Sequence, residues 1–321
     1  MSELVIGSNH WTSYAIRVTF ARGGPRCADP PGEMTLDQRQ AVGHPADADV
    51  QRVKELAQFV RTETIRLIGI AKSGHFTSVF SCAEILAALY SGVMRLSDDP
   101  AWPERDRLIL SKGHCAVGVY PLLAKRGYFP ADWLDSYTRL GSPLGDHPDM
   151  RRVPGIDFSS GSLGHGLSVG VGMAKAARMR GYDATRVFVL LGDQELNEGQ
   201  VWEAAQAAAR FGLGNLVAIV DRNQMGLDGP TEEIMPVEPI AARFEAFGWR
   251  TAELADGHDP AALLASLGGL PAATSEVPTC IVARTVKGKG VRYMELSRTW
   301  HLGYLAPEDE RATTLEITDG A

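Results

Sequence analysis

A chain of 321 residues with 45% hydrophobic content holds enough apolar material for one large core, or one large domain with extensions. Its formal net charge of -7 excludes a general nucleic-acid binder, because no basic face could neutralise a row of phosphates, and small-molecule chemistry is the expectation. The four cysteines, Cys27, Cys82, Cys115 and Cys280, are far apart and form no CxxC pair, which argues against a zinc site or a disulfide framework and fits a reduced, cytoplasmic location. No run of the ~18 apolar residues that a bilayer span requires is evident, and no secretory leader pattern opens the chain, so a soluble protein without membrane association is expected.

Residues 1–48 are rich in Gly, Pro, Asp and Arg without periodicity and read as a partly disordered arm carrying no chemistry. From Val53 apolar residues recur at helical spacing up to the break at Ser73-Gly74, so a helix delivers the chain to Gly74-His75. A second helix is predicted over Ser81 to Tyr90, and a strand over Arg107 to Leu110 that ends at Ser111-Lys112-Gly113-His114. The stretch Leu163 to Arg180 suits a closely packed helix after the glycine-rich GSLGHG. Strand Arg186 to Leu191, turn GDQELNEG, helix Glu198 to Phe211 and strand Leu216 to Asp221 form a βαβ unit with parallel strands. Alternation continues with a helix near Ile240 to Phe247, a strand near Arg250 to Leu254, a helix at Pro260 to Leu267 and a strand at Thr279 to Arg284. The predicted fold class is α/β, a doubly wound, mostly parallel sheet flanked by helices.

Ligands of such sheets sit outside the carboxyl ends of the strands, where both strands of the βαβ unit end in an aspartate, Asp193 and Asp221. Asp193 offers a carboxylate oxygen and Asn223 an amide oxygen. With a backbone carbonyl they make half an octahedral Mg2+ shell, with room left for a diphosphate. The helix starting near Glu198 turns its N-H groups into the same crevice and favours an anion there. The competing reading is that GD and DRN are ordinary turn formers.

The pair GDQELNEG and DRNQMGLDG resembles the diphosphate-binding motif of thiamine-diphosphate enzymes. Further along the chain, KSGHFTSVFSCAEILAALY, RDRLILSKGHCAVGVYPLL, LGSPLGDHPD, SSGSLGHGLSVGVGMA, TVKGKGV and WHLG look like successive transketolase signatures, in order over roughly residues 50 to 305. The resemblance implies thiamine diphosphate and Mg2+ as cofactors and a cofactor domain over residues 49–321. It implies Asp193 and Asn223 as metal ligands with the Met225 carbonyl, and Glu198 in a proton-linked network across a subunit interface. It implies that His75, His114, His147 and His301 line the funnel above the cofactor, where imidazole can move protons to and from sugar hydroxyls. Gly161, Leu163, His165, Gly192, Gln194 and Glu195 would complete the cofactor pocket with His114 and His301. Lys287 and Lys289 are weaker candidates for a phosphate contact, and His10, His44 and His258 read as lone histidines of the usual structural or solvated kind.

The sequence departs from the family twice. Gln194 stands where the family turn has a glycine that lets backbone approach the diphosphate. The chain also ends at Ala321, whereas transketolases need a further domain that grips the aminopyrimidine and supplies an activating glutamate. The expectation is therefore the N-terminal subunit of a split transketolase, acting on carbonyl or sugar-phosphate compounds with a C-terminal-half partner in an α2β2 heterotetramer. The alternatives are a 2-oxoacid dehydrogenase α-like subunit and a noncatalytic binding homologue.

Overall fold

The computed structural model describes residues 45–319, so the expected arm lies, up to residue 44, outside the described residues. Helix α1 (Asp47–Ala71) carries Asp47 and Asp49 in its first turn, where carboxylates complement the helix dipole. It stops where Lys72 turns left-handed at φ 57 and donates its N–H to Ile68 O at 2.8 Å. Helix α2 (Phe76–Ala88) starts ahead of the expected Ser81, because Phe76, Val79 and Phe80 are buried along with every other residue of the helix. Its continuation makes Phe76–Val93 an 18-residue stretch long and apolar enough to cross a membrane, which corrects the expectation that no such run exists. Most of that stretch is buried inside the domain, as in the core helix of a globular protein.

The remaining elements are β1 (Arg107–Leu110), α3 (Ala116–Lys125), α4 (His165–Met179), β2 (Val187–Gly192), α5 (Gly199–Arg210), β3 (Leu216–Arg222), α6 (Thr231–Ile234), α7 (Ile240–Ala246), β4 (Arg250–Leu254), α8 (Pro260–Gly268), β5 (Thr279–Arg284) and α9 (Pro307–Asp319). Helix α8 begins as its sequence directs, with the Asp259 carboxylate accepting from Ala261 N at 2.8 Å and Pro260 in the first turn. Helices α3, α6 and α9 lie outside the elements the sequence predicts. In α3, Gly118 and Pro121 break the helical signal, and burial from Ala116 to Leu123 leaves no polar face to reveal a period.

All five strands are parallel, in the order β1-β2-β3-β5-β4. Side chains alternate between the two faces. Leu108, Leu110, Phe188, Leu190, Val217, Ile219, Ile281 and Ala283 pack with α1, α2, α3 and α8, while Ile109, Val187, Val189, Leu191, Ala218, Val220, Cys280 and Val282 pack with α4, α5 and α7. Helices on both faces explain why the central strands β2, β3 and β5 are apolar over most of their length, whereas β4 at the sheet edge, RTAEL, is half polar. Cys82 and Cys115, distant in sequence, meet at one carbonyl: their thiols donate to Ser78 O at 3.3 and 3.1 Å, and both are free and buried.

The first core is pinned by one ionic cluster. The Arg61 guanidinium on α1 donates to both oxygens of Glu84 on α2 at 2.6 and 2.8 Å, and His258 Nδ1 lies 2.8 Å from Glu84 Oε2. The far side of the same imidazole, Nε2, accepts Val286 N–H at 2.8 Å, so His258 anchors the segment that follows β5. Burial alone would raise the Glu84 pKa, but Arg61 and His258 outweigh it and hold the group at about 2. Since this lies below the ordinary 4.5, the cluster's contribution is complete above pH 4.5 and is lost as pH falls towards 2. Glu84→Gln is expected to lower stability at pH 7 by about 3 kcal/mol and to flatten the acid slope of stability in that window. Denaturant unfolding at several pH values measures both.

Candidate active site

Because Gly192 pairs with Asp221, and Asp221 with Ala283, β2, β3 and β5 end almost level, and the turns that follow emerge side by side. Glu195, 2% exposed, ties the β2 turn to the turn after β1 and to the loop before α4. Its Oε1 accepts from Gly164 N at 2.8 Å and from the Ser111 hydroxyl, and its Oε2 accepts from Gly192 N at 2.9 Å. Gly164 approaches at φ 84 with no room for a side chain beside Glu198. Burial raises the Glu195 pKa against these donors. With both carboxylate oxygens engaged, Glu195 holds Gly164 and Gly192 in place.

Asp193 is almost fully buried. Its Oδ2 takes three donors, Arg222 Nη1 at 2.6 Å, Gln224 N at 2.8 Å and Thr231 Oγ1 at 3.2 Å, whereas Oδ1 takes only Gln194 N at 2.8 Å. The contact from Gln224 N joins the β2 turn to the β3 turn, and Gln224 reaches it in the left-handed region at φ 70. Burial raises the Asp193 pKa, with Arg222 opposing it. Asn223 points its Oδ1 at Met225 N, 3.1 Å away, and the Met225 carbonyl lies in the same turn. One carboxylate oxygen, one amide oxygen and one carbonyl form an all-oxygen donor set that suits Mg2+ and leaves positions for phosphate oxygens. Gln194 has an ordinary negative φ, so its backbone does not need glycine there. Its side chain lies over Gly226, where any side chain at 226 would overlap the Gln194 amide.

Beneath this floor, Lys112 is 2% exposed and donates to Asp221 and, at 3.1 Å, to Ser78 O. Lys287, also 2% exposed, donates to Gly226 O at 3.0 Å, Met225 O at 3.4 Å and His301 Nδ1 at 2.7 Å. It forms no ion pair among the described residues. Burial and the nearby Lys112 lower its pKa to about 8.

The four funnel histidines converge although they come from different loops. His75 lies 5.0 Å from His114, 5.3 Å from His301 and 6.3 Å from His147 between ring centroids, and His114 lies 6.0 Å from His301. Asp146 joins two of them: its Oδ2 is 3.4 Å from His75 Nδ1 and 3.6 Å from His147 Nδ1, while its Oδ1 accepts from Tyr137 OH at 3.1 Å. Burial, followed by the charge of Lys112, keeps His114 well below the ordinary imidazole range. Burial and Lys287 bring His301 down to about 4. Both rings are therefore neutral at pH 7, and His301, accepting at Nδ1, carries its proton on Nε2.

Gly161 packs beside the His147 ring, and the exposed His165 turns Nδ1 to Leu163 O at 3.2 Å. Glu198 is exposed at the start of α5, outside the histidine cluster. Sequence reasoning assigned no role to Lys112, Arg222 or Asp146, and it ranked Lys287 low. SKGH and KGKG had displayed two of these residues, but a lysine next to glycine at a strand end reads as a solvated loop.

Residues 52–316 match the family model described as transketolase, thiamine diphosphate binding domain. The chain is 41% identical over 262 residues to a 6-deoxy-6-sulfo-D-fructose transketolase subunit of Clostridium sp. strain MSTE9, covering 81% of this chain and 94% of that one. It is 39% identical over 260 residues to an apulose-4-phosphate transketolase subunit of Phocaeicola vulgatus, covering 81% and 91%. Among solved structures, the transketolase from Leishmania mexicana superimposes with a TM-score of 0.76 at 29% identity, covering 83% of this chain and 41% of that one. The chain thus spans about two fifths of that solved transketolase.

The Lys287 contact makes a measurable prediction for His301. The wild-type ring is expected to titrate near pH 4. In Lys287→Met the value should rise, because removing an adjacent cation favours the protonated ring. Ring-nitrogen NMR across a pH series reads it, and an unmoved value would refute the contact.

Proposed function

Because the chain belongs to the transketolase family of transferases and carries that family's thiamine diphosphate binding domain, we propose that it is the diphosphate-binding subunit of a split enzyme that transfers a two-carbon ketol or related acyl unit between carbonyl or sugar-phosphate compounds. The observation that carries this reading is Lys287, a buried ammonium whose protein partners are all neutral. An unpaired buried charge is costly, and a phosphate oxygen at that position would offset the cost. Asp193, Asn223 and the Met225 carbonyl would hold Mg2+ beside it.

When bound, thiamine diphosphate supplies the carbanion chemistry, and the protein supplies binding, orientation and protons. His301 presents an Nε2 proton, and His114 remains neutral in its buried position. His75 and His147 share Asp146. Four imidazoles around one funnel, with His114 and His301 kept neutral by burial, suit the passage of protons to and from substrate hydroxyls near neutral pH.

The split reading is supported by the two relatives whose own lengths are matched over 94% and 91%, both of them described as subunits. On this reading a second polypeptide supplies the aminopyrimidine pocket and the activating glutamate in an α2β2 assembly, with the exposed Glu198 joining a proton network across the interface.

Asp193→Ala and Asn223→Ala should each weaken Mg2+-dependent thiamine diphosphate binding by more than about 100-fold, beyond what the loss of an outer partner costs. Lys287→Met should weaken it about tenfold or more, the range of a hydrogen bond to a charged group. Calorimetry on the wild type and variants, assembled with the partner, measures these losses, and near-wild-type affinity in all three would sink the assignment. The purified chain alone should show no donor-dependent turnover, and adding the partner should restore it. Multiple turnover by the isolated chain would overturn the split reading.

A further inference from the structure

An asparagine amide can present either an oxygen or an NH2 group to a cation, and only the oxygen coordinates it. Around Asn223 two neighbours decide between them. Asp221, fully buried, is an acceptor only, and its Oδ2 lies 3.2 Å from Asn223 Nδ2. Met225 N–H is a donor only and lies 3.1 Å from Asn223 Oδ1. The backbone contact positions the oxygen within the turn, and the carboxylate holds the opposite end of the amide.

Asp221 is itself held from every side. Lys112 donates to its Oδ2, Ser81 Oγ donates to the same oxygen at 2.6 Å, and Thr285 Oγ1 donates to its Oδ1. These donors come from the β1 turn, α2 and the end of β5, so the carboxylate cannot rotate away without breaking contacts to three elements. Ser81 Oγ also lies 3.4 Å from Asn223 Nδ2, closing a ring around the NH2 end.

We propose that Asp221 is a positioning residue that binds no cofactor itself but fixes the Asn223 amide so that its oxygen faces the divalent cation, with Lys112 neutralising the buried carboxylate that does so. This rests on the reading of Asp193, Asn223 and Met225 as the cation's ligands.

The test measures the Mg2+ concentration dependence of thiamine diphosphate binding by calorimetry, on the assembled protein, in four forms. Wild type sets the reference, and a wild type without Mg2+-dependent binding would overturn the ligand assignment itself. Asp221→Asn removes the obligate acceptor and should weaken Mg2+ binding about tenfold or more, as loss of an outer partner of a metal ligand does. Because that variant leaves Lys112 buried without its counter-charge, the pair Lys112→Met with Asp221→Asn keeps the charge balanced and should show the same loss. The exchange Asp221→Asn with Asn223→Asp puts a carboxylate at 223, which offers oxygen in either orientation, and should recover most of the affinity. Selective 15N labelling adds a readout independent of binding: the Asn223 side-chain NH2 should be protected from exchange in wild type and unprotected in the charge-balanced pair. Wild-type Mg2+ affinity in the charge-balanced pair, or no recovery in the exchanged pair, overturns the proposal. A purely architectural role for Asp221 would weaken both alike.

Discussion

The ion pair between Lys112 and Asp221 is closed to solvent, and it joins the turn after β1 to the end of β3, across the intervening β2. Taking both ions out of water costs several kcal/mol each, and the Coulomb attraction alone rarely returns it. Here further hydrogen bonds offset that cost: Ser81 and Thr285 also donate to the carboxylate, and Ser78 O accepts from the ammonium. Burial works against ionisation of Asp221, but Lys112, Ser81 and Thr285 prevail and hold its pKa below the usual carboxylate range. The turns after β1, β3 and β5 and helix α2 all meet at this junction.

Charge above the junction is distributed with a purpose that geometry makes plain. Arg222 is buried among three carboxylates, Asp193, Glu232 and Glu238, at 2.6, 3.0 and 2.9 Å, and so fastens the segment after β3 to the sheet. Saturating one oxygen of Asp193 leaves the other lightly bonded. Across the floor, Lys287 has no counter-charge among the described residues. This asymmetry supports the proposed site for an anionic group with its metal: a lightly bonded oxygen on the acidic side and an ammonium held by neutral groups on the basic side.

How much of this could be read from residues alone depended on whether the signal was local. Strands β2 and β3 were legible because both faces are covered and their apolar runs are continuous, and the aspartates ending them pointed to the crevice. Helix α3 was not, since Gly118, Pro121 and burial on all sides erase the helical period. Asp193, Asn223 and Met225 were legible as one turn pair, and the structure does bring the two turns together through Gln224 N. The four histidines were grouped by family likeness, since nothing in the spacing of 75, 114, 147 and 301 foretells their meeting. Arg222, Lys112 and Asp146 escaped because a charge beside glycine or at a strand end has the same appearance whether it faces water or is buried against a partner from a distant segment. Glu195 was singled out only by family likeness, and its task of tying three turns depends on Gly164 and Ser111, which only tertiary contact brings near.

The strand order has a consequence for how the chain comes together as it is made. β5 lies between β3 and β4 in the sheet but is the last strand in the chain. While it emerges, β3 is an open edge and β4 has no neighbour, so the N-terminal part can assemble β1, β2 and β3 but must wait for the insertion of a central strand. The β3–β5 pairing, like that of β1 with β2, must close a long loop before its contacts reward it, and it must also wait for β5 to be made. Thr285 and Lys287, directly behind β5, are among the last residues to take their places. The cofactor floor therefore cannot serve as an early template for folding: it becomes complete only when the sheet does.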